Sequence, residues 1–156
     1  MLSQSQASRA TLALFLSLTV GGGLLIGMLS TPDVWYAALN KPSFNPPNWV
    51  FGPVWTVIYV LIGLAGWQTW KTRPNGLAMK IWTLQMLLNF FWTPVFFTLH
   101  RTDMALDVIV ALLGTILAYI YVSYKDGNTR SALLFVPYAI WVAFATTLNA
   151  AIWTLN

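Results

Sequence analysis

Aromatic and amide side chains recur at helical spacing in three apolar segments of the sequence. Amides and phenols form directional hydrogen bonds, indoles offer flat stacking surfaces, and small residues leave room for a planar molecule. Such faces predict either a pocket for a flat aromatic ligand or a filled core with interhelical hydrogen bonds. Each set lies on one helical face, and the sets are Gln85, Asn89, Trp92 and Phe96; Trp55, Tyr59, Ile62 and Gly66; and Tyr138, Trp141, Ala145, Leu148 and Asn149.

Acid–base, thiolate and metal chemistry have few candidate residues. The sequence contains no cysteine, which excludes disulfides and thiolate metal sites. His100 is the only histidine and follows the third apolar run beside Arg101, a position that suits an interfacial or capping role better than haem ligation. We find no Ser-His-Asp set, metal cluster or phosphate loop in the sequence. All four acidic residues fall in predicted loops or at helix ends, which argues against a buried proton relay; they are Asp33, Asp103, Asp107 and Asp126.

The elements that must position these side chains are membrane-spanning helices. The 156 residues are 58% apolar and only 8% charged, whereas soluble domains are about one quarter charged. Five apolar runs are each long enough to cross a hydrocarbon layer of about 30 Å as a helix. We predict an all-α membrane protein, a five-transmembrane-helix bundle forming one transmembrane domain over residues 1–156. The runs are 10–29, 53–70, 77–99, 104–124 and 131–155.

The first run could be mistaken for a secretory signal peptide because Arg9 precedes it. It is longer than a typical signal core and lacks a clean small-residue cleavage site, so we expect it to be retained as a helix. Gly23 and Gly27 within it have the spacing of close helix contacts in membranes.

The distribution of basic residues predicts the orientation of the bundle. They are spread along the chain, which argues against a nucleic-acid partner. With five spans, six lie on the side of the amino terminus, and only Lys41 and Arg101 lie opposite. By the positive-inside rule the amino terminus is then cytoplasmic, and a helical bundle of this kind is expected in a bacterial inner membrane. The six are Arg9, Lys71, Arg73, Lys80, Lys125 and Arg130.

The long first loop, residues 30–52, is rich in proline and tryptophan. Five prolines between positions 32 and 53 restrict the backbone and disfavour a long regular helix. A rigid aromatic loop at the mouth of a bundle predicts a lid. The same tryptophans would also suit an interfacial aromatic belt, so both interpretations remain open.

Three motifs resemble the translocator protein family, also called TspO/MBR, whose bacterial members are the tryptophan-rich sensory proteins. The motifs are W-Y-x-x-L-N-K-P-x-x-N-P-P-x-W from Trp35 to Trp49, W-x-P-x-F-F from Trp92 to Phe97, and P-Y-x-x-W from Pro137 to Trp141. They occur in the order and spacing of the family. The resemblance extends over all five predicted spans and is closest to bacterial members.

The resemblance implies a five-helix bundle, often a homodimer, that binds porphyrins such as protoporphyrin IX or haem, and aromatic drug-like molecules, beneath the first loop. A porphyrin would be a ligand, and no cofactor is required. Carried over to this sequence, the candidate ligand-binding residues are Trp35, Tyr36, Trp49, Phe51, Trp55, Asn89, Trp92, Tyr138, Trp141 and Ala145.

Three functions remain as hypotheses. The first is a tetrapyrrole-binding sensor or regulator. The second is light- and oxygen-dependent porphyrin degradation, for which the resemblance implicates Trp55 and Trp141 as reactive residues. The third is transport of porphyrins or other small molecules, which the absence of charges within the spans and of repeated halves disfavours.

The sequence departs from the family pattern at several positions. Ser43 and Phe44 stand where many bacterial members have two tryptophans, which reduces the stacking surface. The carboxyl end, from Ile152 to Asn156, lacks the tyrosine followed by a basic residue of the animal cholesterol-recognition motif, so we expect no cholesterol binding of that type. The third run has few small residues, which weakens the implied dimer. Some bacterial members lie in the outer membrane, which is the alternative to the inner-membrane prediction.

Overall fold

The computed structural model describes residues 4–156 and contains only helices and the turns between them in that range. This confirms the predicted all-α class. The single domain predicted over residues 1–156 stays a prediction, and its residues 1–3 lie outside the described residues. The helices are α1 (Gln4–Leu16), which continues through a π-helical turn (Ser17–Gly21) into α2 (Gly22–Leu29), then α3 (Val34–Ala38), α4 (Asn48–Thr72), α5 (Leu77–Phe97), α6 (Thr102–Lys125), α7 (Thr129–Leu134) and α8 (Val136–Leu155).

Four helical segments are long and apolar enough to cross a membrane. They are Gln6–Leu29, Asn48–Thr72, Thr102–Lys125 and Thr129–Leu155. Helix α5 has 21 residues, but Lys80, Gln85 and Asn89 lower its hydropathy and it is not among the four. Length and composition therefore support four of the five predicted spans.

The first loop is shorter than the predicted segment 30–52. Helix α4 begins at Asn48, five residues before Pro53, which was the predicted start. Pro53 removes one backbone N–H near the amino-terminal end of the helix, where water can satisfy the carbonyl left without its partner. The loop also contains the short helix α3, which Asp33 caps by accepting a hydrogen bond from the backbone N–H of Tyr36.

Close contact between α4 and α5 depends on Gly66. A Cβ on Gly66 would lie within 2.7 Å of the indole ring of Trp82. That indole is 3% exposed and donates a hydrogen bond from Nε1 to the carbonyl of Ile62, 3.0 Å away. The ring is therefore held against the helix, and only glycine fits beneath it.

Buried polar groups join α4, α6 and α7. The hydroxyl oxygens of Thr69 and Tyr119 are 2.6 Å apart, and the Tyr119 hydroxyl also donates to the carbonyl of Ala65 at 3.2 Å. Ser131, in α7, donates to the same carbonyl at 3.3 Å. These contacts satisfy groups that would otherwise be costly to bury in an apolar medium.

We predict that Gly66→Ala destabilises the protein, whereas Gly114→Ala does not. The new methyl group at position 66 must displace a hydrogen-bonded, buried indole, and overpacking of this kind costs about 1–3 kcal/mol. A Cβ on Gly114 would meet no described atom within 4 Å. Thermal unfolding in detergent should show a melting temperature several degrees lower for the first variant only. Equal melting temperatures would contradict the packing described here.

Candidate functional site

A cavity of about 440 Å³ lies at the end of the bundle nearest the first loop. Its walls come from α2, α4, α5 and α8, and α3 and the residues before it cover it. The side chains that line it are mostly apolar, and none of the described lining residues is charged. Six of the ten predicted ligand-binding residues line it, so the structure brings most of that set together: Tyr36, Phe51, Trp55, Trp92, Trp141 and Ala145.

The walls present aromatic rings at several angles. Trp55 packs against Tyr59 with ring centroids 5.5 Å apart and planes inclined by 30°. Phe51 and Trp141 pack in a T-shaped arrangement, with ring centroids 5.8 Å apart. Ala145, which is 8% exposed, adds only a methyl group to the α8 side. The arrangement suits a flat aromatic molecule, because rings can stack on its faces where the small residue leaves space.

Two predicted contact residues, Asn89 and Tyr138, lie behind the wall in a chain of buried hydrogen bonds. The Tyr59 hydroxyl donates to Asn89 Oδ1 at 2.8 Å, and Asn89 Nδ2 donates to the Tyr138 hydroxyl oxygen at 2.7 Å. The Tyr138 hydroxyl in turn donates to Gln85 Oε1 at 3.0 Å. Asn89 and Tyr138 are both at most 2% exposed. Through these bonds and the contact of the Tyr138 ring with Trp55, they hold the wall residues Tyr59 and Trp55 in place.

Trp92 is oriented by a polar contact between α5 and α8. Its Nε1 donates to Asn149 Oδ1 at 3.1 Å, and Asn149 Nδ2 donates to the carbonyl of Thr102 at 2.8 Å. Both ends of the Asn149 amide are thus engaged within the protein. The indole of Trp92 therefore offers the cavity an apolar surface, since its N–H is already bonded.

The loop over the cavity is held by several contacts. Asp33 Oδ2 lies 3.2 Å from His100 Nε2, and the ring of Trp35 stacks on His100 with centroids 4.2 Å apart. The backbone N–H of Tyr36, together with His100, lowers the pKa of Asp33 below its usual value. At the far end of the loop, the backbone N–H of Asn40 donates to Asn156 Oδ1 at 2.9 Å, and Asn156 Nδ2 donates back to the Asn40 carbonyl at 3.0 Å. These bonds hold Tyr36 over the cavity with 6% exposure.

The predicted site residues Trp35 and Trp49 lie outside the cavity. Trp35 stacks on His100 and packs edge-on against Phe96, whose ring centroid is 6.0 Å away. Trp49 is 76% exposed. Because α4 begins at Asn48, Trp49 takes a helical position that points away from the face carrying Phe51 and Trp55. Reading residues 48–52 as loop hid this change of direction.

Sequence reasoning did not include the α2 side of the cavity among the site residues. Gly23, Leu24, Gly27 and Met28 line it from that helix. The Gly23 to Gly27 spacing predicted close helix packing, and only Gly23 makes such a contact, beneath the ring of Tyr59. An apolar helix that faces both lipid and a cavity shows no distinctive pattern in its sequence. The sequence therefore gave no other indication that α2 lines the cavity.

We predict that Tyr138→Phe lowers the melting temperature more than Tyr121→Phe. Loss of the Tyr138 hydroxyl leaves one buried amide group on each of Asn89 and Gln85 without its partner, at a cost of about 1–3 kcal/mol per group. Tyr121 is 62% exposed and supplies the matched control. Thermal unfolding in detergent measures the difference, and equal stability of the two variants would show that the buried chain contributes little.

The sequence of the chain is similar to those of one protein family. The sequence pattern of the TspO/MBR family matches residues 14–154. The chain is 38% identical over 146 residues to the tryptophan-rich sensory protein of Cereibacter sphaeroides, covering 92% of each chain. It is 37% identical over 139 residues to protein CrtK of Rhodobacter capsulatus, covering 83% of each. It is 36% identical over 127 residues to the human translocator protein, covering 78% of this chain and 75% of the relative. With its membrane-spanning helices, the chain is an integral membrane protein that belongs to the TspO/MBR family.

Proposed function

We propose that the protein is a membrane sensor that binds a tetrapyrrole, protoporphyrin IX or haem, in the cavity beneath the first loop. The observation that carries the proposal is the cavity itself, in which six predicted ligand contacts converge. Its volume of about 440 Å³ falls within the usual range for small-molecule sites. The sensory role is suggested by the name of the Cereibacter relative.

The proposed site requires α5 to be a fifth span, packed with its polar side inward. Gln85 and Asn89 are at most 2% exposed and are hydrogen-bonded inside the bundle. The opposite side carries Leu84, Leu87 and Phe91, which are 49%, 63% and 53% exposed. An apolar outer surface with internally satisfied polar groups is what a hydrocarbon environment demands. In this arrangement α5 crosses the membrane although its average hydropathy is modest.

The segment 30–47 acts as the lid in this proposal. Its residues Pro32 and Tyr36 contribute to the cavity, and its bonds to His100 and Asn156 fix it over the bundle. The cytoplasmic amino terminus, the inner membrane and the homodimer remain predictions that accompany it.

We predict that Ala145→Phe abolishes or strongly weakens protoporphyrin IX binding, and that Ala143→Phe does not. The first change places a ring in the cavity, whereas Ala143 lies on the exposed side of the same helix. A titration in the dark, followed by tryptophan fluorescence, measures binding, because neither variant alters the number of tryptophans. Saturable quenching near one ligand per chain is expected for the wild type and Ala143→Phe.

The outcome that would contradict this proposal is equal quenching of all three proteins without saturation. Such quenching is typical of a porphyrin that partitions into the detergent micelle. Thermal unfolding of the Ala145→Phe variant distinguishes a filled cavity from a misfolded chain.

Light-dependent porphyrin degradation is a second candidate function, favoured by the presence of both Trp55 and Trp141 in the cavity wall. An excited porphyrin can pass energy or an electron to O₂, and adjacent indoles are readily oxidised. No protein acid or base is needed, in agreement with a lining whose described residues carry no charge.

We predict that the variant with Trp55→Phe and Trp141→Phe does not degrade porphyrin in the light. The matched control carries Trp49→Phe and Trp153→Phe, because these indoles are 76% and 49% exposed and lie outside the cavity. The measurement is the loss of porphyrin absorption under light and oxygen, with dark and oxygen-free samples beside it. Identical bleaching by both double variants would reject a role for the two cavity tryptophans.

A further inference from the structure

The cavity has a side opening between α2 and α4. Leu24 and Met28 of α2 line the cavity although they are 55% and 77% exposed. On the facing helix, Gly52 and Thr56 are likewise both exposed and part of the lining. Residues of this kind face the interior and the surroundings at once, so they mark a passage through the wall of the bundle.

Glycines form the edges of this passage. A Cβ on Gly27 or on Gly52 would meet no atom of the described chain within 4 Å. One turn earlier in α2, the arrangement is the reverse: Gly23 lies directly beneath the ring of Tyr59, and a Cβ on Gly22 would lie 2.7 Å from the ring of Phe90. The passage is therefore closed at the start of α2 and open towards its end.

Helix α2 is attached to the bundle less firmly than α1. Phe15 of α1 is buried, and Nε1 of Trp67 in α4 donates to the carbonyl of Ser8 in α1 at 3.1 Å. Beyond the π-helical turn, α2 contributes no side chain to the buried core of residues 6–156. Short π-helical turns within α-helices are frequent at functional sites. The turn separates a segment with buried side chains from one that packs closely only through its first glycines and then borders the passage.

Access to the cavity from water is more restricted than access through this passage, because the first loop covers the cavity. Tyr36 is 6% exposed beneath the loop, and the loop is bonded to the remainder of the protein at both ends. The Ser30 hydroxyl accepts a hydrogen bond from Thr98 at 3.1 Å, beside the contact between Asp33 and His100. Asn40 and Asn156 close the other end. Entry by this route would require several of these contacts to break together.

We propose that the opening between α2 and α4 is a lateral portal through which a planar, lipid-soluble tetrapyrrole enters the cavity from the bilayer. This inference rests on the proposed function, because it concerns the path to the same site. The portal selects molecules by their thickness. Because Gly27 and Gly52 have no side chains, they leave a narrow slot that a planar ring can enter with its edge leading. Leu24 and Met28 give its outer rim an apolar surface that matches lipid chains.

The test is the rate of protoporphyrin IX binding to the protein in lipid nanodiscs, measured by stopped-flow quenching of tryptophan fluorescence in the dark. Gly27→Leu and Gly52→Leu each place a side chain in the slot from one of the facing helices. Gly114→Leu is the matched control, because its position is exposed and open but lies on α6, away from the cavity.

We expect each portal variant to slow association by about tenfold or more, within the range that single changes produce in association rates. Dissociation should slow as well, since entry and exit share one barrier. The control should keep the wild-type rates.

A second arm loosens the loop with Asn40→Ala and His100→Ala combined. If the ligand enters laterally, this variant associates no faster than the wild type. Faster association in the loosened variant, with unchanged rates in both portal variants, would overturn the portal and assign entry to the loop.

Absence of saturable binding by the wild type would instead reject the proposed function, and the portal with it. Circular dichroism and thermal unfolding check that each variant is folded, and two portal variants on different helices guard against one that is not.

Discussion

The structure depends on the requirement that polar groups inside an apolar bundle find partners within it. The buried chain from Tyr59 through Asn89 and Tyr138 to Gln85 meets this requirement across α4, α5 and α8. In a hydrocarbon environment an unsatisfied group would cost several kcal/mol, so the four side chains fix one another. Because Tyr59 belongs to both the chain and the cavity wall, the same bonds that hold the helices together set the shape of the cavity.

The order of the helices and the aromatic faces of α4, α5 and α8 could be predicted from the sequence because they follow from hydropathy and periodicity. Trp55, Trp92 and Trp141 fall on the faces that the helical spacing indicated, and all three line the cavity. Periodicity could not predict where α4 begins, since five prolines between positions 32 and 53 suggested a loop up to Pro53, whereas Pro47 is the residue that precedes the helix. For that reason the sequence did not indicate that Trp49 points away from Phe51 and Trp55.

Spacing also cannot distinguish the first row of side chains on a face from the row behind it. Asn89 shares a helical face with Trp92, yet it lies behind Tyr59 because an amide is short and the tyrosine reaches across to it. Tyr138 is covered in the same way by Trp55, whose ring centroid is 6.4 Å from its own. The depth of a residue depends on the lengths of its neighbours on other helices, and that information enters only when the helices are packed. The role of α2 depends on packing for the same reason, since its glycines differ in what they face and not in their sequence pattern.

The lining without charged residues has an electrical consequence. A membrane potential acts on charges, at about 2.3 kcal/mol per elementary charge for each 100 mV across the bilayer. The described residues that line the cavity carry no charge. The membrane potential therefore exerts no direct force on the side chains of the cavity wall. If the proposed porphyrin binds there, its two propionate groups, and not the wall of the cavity, carry the charge on which the membrane potential acts.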